Sequence, residues 1–84
     1  MKKIAFIGAG NMNASIIGGL IKNGWSASDI IVSNPSAEKR LKLAQIYGVK
    51  QCQSNVEAAE YADFIVLGVK PHFITAVCQE LANI

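Results

Sequence analysis

The 84-residue sequence is poor in the side chains that carry most site chemistry, with one histidine and two cysteines. Those are too few ligands for a zinc site, and no metal is expected. Cys52 and Cys78 form no C-x-x-C pair, so they read as reduced, partly buried thiols. Charge is also scarce, with 17% charged residues and a formal net charge of +2. An excess that small, with the cations not gathered into a long run, gives no footing for nucleic acid or an anionic membrane. No apolar stretch approaches the ~20 residues of a membrane span. Lys2 and Lys3 open the chain as a signal peptide would. Gly8, Gly10, Asn11 and Asn13 then break the apolar stretch behind them, which excludes that reading. With neither signal present, the expected location is the cytoplasm. No nucleophile stands with a general base, so no catalytic residue is assigned.

What is present is apolar: 51% of residues are hydrophobic, in a length that suits one small domain. The organising stretch is Lys3-Ile4-Ala5-Phe6-Ile7-Gly8-Ala9-Gly10-Asn11-Met12-Asn13. A buried-type strand stops at a glycine and a helical pattern starts at once. Gly8 permits the sharp turn, because a residue without Cβ tolerates positive φ. Gly10 leaves room for an anion to approach the backbone. The helix behind it aims unpaired N–H groups and about half a positive charge at that point. Strand, Gly-x-Gly and helix together form a diphosphate seat and point to a dinucleotide. The third glycine of the fingerprint is replaced by Asn13. This should push helix and strand slightly apart, or turn the amide toward solvent or ligand.

The first helix is expected from Asn11 to about Lys22, with Ala14, Ile17, Gly18 and Ile21 on one stripe widened by Ile16 and Leu20. Gly18 and Gly19 suit close approach of a neighbouring element. Asn23-Gly24 ends the helix, and Trp25 plugs the turn from below. Asp29–Ser33 reads as a second strand. Asn34 and Pro35 suit the cap and first turn of a second helix, which runs to Tyr47 with Ala37, Leu41 and Ala44 inward and ends at Gly48. Val49–Cys52 is a short third strand. Ser54-Asn55-Val56-Glu57 fits a capping box for a short helix to Tyr61. Phe64–Val69 is a fourth strand, stopped by Lys70-Pro71. Ile74, Val77, Leu81 and Ile84 then recur at helical spacing. The βαβαβαβα pattern predicts an α/β, Rossmann-type doubly wound parallel sheet of order 3-2-1-4, spanning residues 1–84. Its fourth strand would be an edge at which a fuller sheet continues, so the chain reads as truncated at its fourth strand–helix unit.

A cofactor choice follows from the end of the second strand. An NAD site places a carboxylate there, about 20 residues beyond the glycines, to bind the ribose 2′-hydroxyl. This chain has Ser33-Asn34-Pro35-Ser36, and Asp29 lies at the wrong end of the strand. The neutral donors suit a 2′-phosphate, with Lys39 and Arg40 one turn beyond to supply charge. NADP(H) is favoured over NAD(H).

Four motifs in order carry a family resemblance: Ile7-Gly8-Ala9-Gly10-Asn11-Met12, Val32-Ser33-Asn34-Pro35, Ser54-Asn55 and Gly68-Val69-Lys70-Pro71. Together they resemble the N-terminal domain of pyrroline-5-carboxylate reductase. The last of the four, following Ala-Asp-Phe-Ile-Val-Leu, is the most specific. The resemblance implies hydride transfer from NAD(P)H, usually NADPH, to the C=N bond of 1-pyrroline-5-carboxylate, giving L-proline. It implies that Gly8, Ala9, Gly10, Asn11 and Met12 hold the diphosphate and that Asn34 lies by the adenosine ribose or its phosphate. Asn55 would meet the adenosine side, and Gly68, Val69, Lys70 and Pro71 the nicotinamide ribose. The substrate pocket and the homo-oligomer contacts would belong to a C-terminal helical domain absent from these residues, and the fragment would be inactive alone. Three other readings predict different behaviour. A related reductase of the β-hydroxyacid or prephenate dehydrogenase type would carry its own sequence in place of Val-Lys-Pro. An NADP-sensing module would bind dinucleotide without turnover, and an interaction domain would bind none. His72, beside Lys70-Pro71, reads as an exposed first-turn residue.

Overall fold

In the computed structural model, which describes residues 2–82, strand β1 (Ile4–Ile7) is the centre of the molecule. It pairs in parallel with β2 (Ile30–Ser33) on one side and with β4 (Phe64–Leu67) on the other. A short strand β3 (Lys50–Cys52) adds to β2, giving the order β3-β2-β1-β4. The expected order is the observed one. Parallel neighbours need crossover connections, and helices supply them: α1 (Asn11–Lys22), α2 (Ala37–Tyr47) and α3 (Asn55–Tyr61), with α4 (Pro71–Leu81) after the last strand.

Alternation along β1 divides the core in two. Ile4 and Phe6 point to the side covered by α1 and α2, where they pack with Ile17, Ile30, Val32, Leu43 and Val49. Ala5 and Ile7 point to the other side, with Ile31, Ala58 of α3 and Val77 of α4. All four β1 residues are buried. Burial on both faces explains why the strand is a continuous apolar run. Burying Phe6, Ile17 and Ile30 contributes about 1.5–3 kcal/mol apiece. β4 lies at the sheet edge, and its Phe64, Ile65 and Leu67 are exposed.

The helix ends follow local chemistry. At the end of α1, Gly24 takes φ +101°. The Trp25 N–H donates to Leu20 O at 3.0 Å and the Gly24 N–H to Ile21 O at 3.1 Å, a Schellman closure. Trp25 packs against the core beneath it. Gly48 ends α2 at φ +75°. Ser54 caps α3 by accepting from the Glu57 N–H at 3.2 Å. Pro71 occupies the first turn of α4, where its missing N–H costs no hydrogen bond.

Several local expectations are corrected. Asp29 belongs to a 3₁₀ turn (Ala27–Asp29) before β2, and β4 ends at Leu67, leaving Gly68 and Val69 in the turn. Ser36 caps α2 through the Lys39 N–H, so Asn34 and Pro35 precede the helix. The buried residue of α2 is Leu43, whereas Leu41 is 48% exposed and Ala37 is exposed. On α1, Ile16 is 40% exposed and does not widen the stripe. A Cβ on Gly18 would meet the Tyr47 hydroxyl at 2.9 Å, so α1 and α2 approach closely there, while Gly19 has no such neighbour. Ile84 lies outside the described residues.

Candidate functional site

The carboxyl ends of β1, β2 and β4 meet at the point where the sheet order reverses, which is where ligands enter folds of this kind. The Gly8 N–H donates to Ser33 O at 2.8 Å and the Gly68 N–H to Ile7 O at 2.9 Å, tying the three strand ends together. Gly8 then turns the chain at φ +111°. A Cβ there would lie 2.6 Å from the Gly68 carbonyl oxygen, so glycine is required both by conformation and by space. Gly10, the N-cap of α1, has φ −79° and no side-chain cap. The first helical bond runs from the Ala14 N–H to Gly10 O at 2.9 Å. The N–H groups of Asn11, Met12 and Asn13 therefore have no partner within the helix. No acidic residue stands in that first turn. A Cβ on Gly10 would meet nothing within 4 Å, which leaves open room for an anion against the backbone.

A cleft of about 370 Å³ opens over this turn. The β1–α1 turn contributes Gly8, Ala9 and Gly10, and the end of β2 contributes Ser33, Asn34 and Pro35. Asn55 and Lys39 line it from α3 and α2, and Gly68, Val69 and Lys70 from the turn after β4. Nine of the twelve residues singled out in the sequence thus share one cavity. Asn11 lies instead in a second groove between α1 and α2, which Lys39 also borders. Met12 is 66% exposed and Pro71 sits at the start of α4; neither lines the cleft. Phe73, Ala76 and Val77 complete its wall from α4 and were not foreseen. Their sequence signal, an apolar helix face, is the same as that of core residues. His72 is exposed outside the cleft, its ring 4.2 Å from that of Phe73.

Polar groups in the cleft are oriented by their neighbours. Asn34 Oδ1 accepts from the Ala9 N–H at 3.2 Å, which leaves Nδ2 as the donor end of that amide. The Arg40 guanidinium donates to the Asn34 carbonyl and, at 2.8 Å, to Gln51 Oε1, so Arg40 braces the loop from behind. Buried Ser33 donates to Asn55 Oδ1, and Asn55 Nδ2 donates to Glu80 Oε1 at 2.9 Å, linking β2, α3 and α4. Among the described residues, the cleft is lined by two lysines and no carboxylate. Its electrostatics suit an anion.

Asn13 does not turn its amide toward solvent. It is 1% exposed, and its Nδ2 donates inward to Gly8 O at 2.9 Å. The space it fills is vacated by Gly68, on which a Cβ would overlap the Asn13 amide. Cys52 is equally unsuited to chemistry: burial, and then the Glu57 carboxylate, push its thiol above the ordinary value and keep it protonated. Among the described residues no cluster of three metal-binding side chains occurs, and no helix is long and apolar enough to cross a membrane.

The resemblance read from the four motifs extends to whole-chain comparisons. A pyrroline-5-carboxylate reductase of Pseudomonas aeruginosa is 52% identical over 80 residues, covering 95% of this chain and 29% of the relative. The structure of a pyrroline-5-carboxylate reductase from Coxiella burnetii superposes with a TM-score of 0.94 at 44% identity, over 98% of this chain and 30% of that one. A Plasmodium falciparum pyrroline carboxylate reductase, with NADP bound, shares the fold at a TM-score of 0.80 and 23% identity, over 95% and 28%. The chain spans about 30% of the length of the relatives it matches. Residues 3–84 match the family model described as NADP oxidoreductase, coenzyme F420-dependent, and the chain belongs to that family.

Proposed function

We propose that this chain is the NADPH-binding domain of a cytoplasmic reductase that converts 1-pyrroline-5-carboxylate to L-proline. The observation that carries the reading is the uncapped start of α1, whose N-cap Gly10 lines a carboxylate-free cleft at the sheet's switch point. The residues fit a dinucleotide. The free N–H groups after Gly10 would take the diphosphate, and the open space above Gly10 would admit it. Asn34 Nδ2 and Lys39 would face the adenosine ribose and its 2′-phosphate, and a carboxylate in their place would repel that group. The Gly68–Lys70 backbone would line the nicotinamide ribose.

When bound, the cofactor supplies a hydride for the C=N carbon. The contribution of this chain is to bind and orient it. Asn55, held by Ser33 and Glu80, would keep the adenosine end of the cleft in shape. Phe73 and Ala76 would exclude water from the nicotinamide end. Substrate contacts and homo-oligomerisation are assigned to a C-terminal helical domain outside these residues.

The test is an assay of the intact protein for NADPH oxidation dependent on 1-pyrroline-5-carboxylate, with proline as the product. Turnover to proline is expected. Tight NADPH binding without turnover would replace the reading with an NADP-sensing module.

A further inference from the structure

Both polar ends of one peptide group, Gly8–Ala9, are held by asparagine side chains. The Gly8 carbonyl accepts from Asn13 Nδ2 at 2.9 Å, and the Ala9 N–H donates to Asn34 Oδ1 at 3.2 Å. The two side chains approach from opposite directions, Asn13 from the buried face of α1 and Asn34 from the loop after β2. Asn13 Nδ2 also reaches Ile7 O at 3.4 Å. Its Oδ1 is buried with no hydrogen-bond partner among the described residues. An unpaired buried acceptor opposes folding, and turning the amide over would be worse, because Oδ1 would then face the Gly8 oxygen. The amide orientation is therefore fixed by the carbonyl it holds.

We propose that Asn13 is a positioning residue for the diphosphate seat, a role that rests on reading the cleft as a dinucleotide site. By drawing the Gly8 carbonyl into the interior, it keeps an acceptor from facing the anion. With Asn34 on the other end, it locks the peptide plane at the turn where Gly8 holds φ +111°. The N–H groups of the first turn of α1 are then presented to the anion without prior rearrangement, which favours affinity. The device sets a condition on β4. A Cβ at position 68 meets the Asn13 amide first, so Gly68 is glycine because Asn13 is present. Gly68 is not among the residues of positive φ, so its backbone conformation alone does not demand glycine.

The experiment compares Asn13→Ala, Asn13→Asp, Gly68→Ala and the Asn13→Ala/Gly68→Ala pair in the intact protein. Amide hydrogen exchange at Ala9, followed by NMR without cofactor, reads the clamp. NADPH titration reads its consequence. Asn13→Ala is expected to speed Ala9 exchange at least tenfold and weaken NADPH binding at least fivefold. Asn13→Asp keeps the volume but loses the donor, and should weaken binding at least as much. Gly68→Ala alone should cost more than tenfold in affinity, and the pair should return to within threefold of Asn13→Ala. Unchanged exchange or unchanged affinity in Asn13→Ala overturns the proposal, as does wild-type affinity in Asn13→Asp or equal damage from Gly68→Ala in both backgrounds. Failure of the unsubstituted protein to bind NADPH would overturn the dinucleotide reading and the role resting on it. The exchange rates would still report whether the clamp exists.

Discussion

Gly8→Ala is expected to destabilise the chain by about 2–4 kcal/mol and to remove dinucleotide binding. Two costs add. Alanine is strained at φ +111°, and its Cβ would lie 2.6 Å from the Gly68 carbonyl oxygen, a backbone atom. Relief requires the ends of β1 and β4 to separate, which opens the cleft at its base. Against a total stability of about 4–13 kcal/mol for a chain of this size, the loss is severe. Gly10→Ala is the informative contrast. Gly10 has φ −79° and a Cβ there meets nothing within 4 Å. Its stability should stay within about 0.5 kcal/mol of the unsubstituted chain. Its binding should nevertheless fall, because the methyl group would occupy the space proposed for the diphosphate. Urea denaturation and NADPH titration of the two variants separate the fold requirement from the ligand requirement.

Asn34→Asp is expected to weaken NADPH binding at least tenfold, about 1.4 kcal/mol, while NADH binding holds or improves. The substitution is nearly isosteric, and one carboxylate oxygen still accepts from the Ala9 N–H, so the turn keeps its support. The other oxygen replaces a donor with a negative charge in a cleft that has no carboxylate among its lining residues. That charge repels a 2′-phosphate and accepts from a 2′-hydroxyl. Equal losses for both dinucleotides would mean that position 34 supports the turn without reading the ribose.

The sheet order and the placement of the cleft were legible in the sequence because they rest on strong local signals. Apolar runs marked β1, β2 and β4, Gly8 marked the turn, and right-handed crossovers left one order for the strands. The misread side-chain placements depend mostly on distant partners. Asn34 looked like a helix cap because the local chemistry of an asparagine before a proline suits one. Its oxygen is instead taken by Ala9, 25 residues earlier, and Ser36 caps α2. On α2 it is Leu43 that packs into the core with Ile17, Val32 and Val49, while Leu41 is left half exposed, a choice set by contacts with other elements that the helix's own apolar pattern does not carry. Asn13 was the least legible. Its burial depends on the missing side chain of Gly68, 55 positions later, and nothing in its own neighbourhood announces that space. Phe73 belongs to the same class, since lining a cleft and packing a core use the same residue type.

If the start of α1 is an NADPH seat, calorimetric titration of NADPH and NADH into the chain will register it. Saturable one-to-one binding of NADPH, tighter than that of NADH, is expected. No binding of either dinucleotide by the folded protein would contradict it.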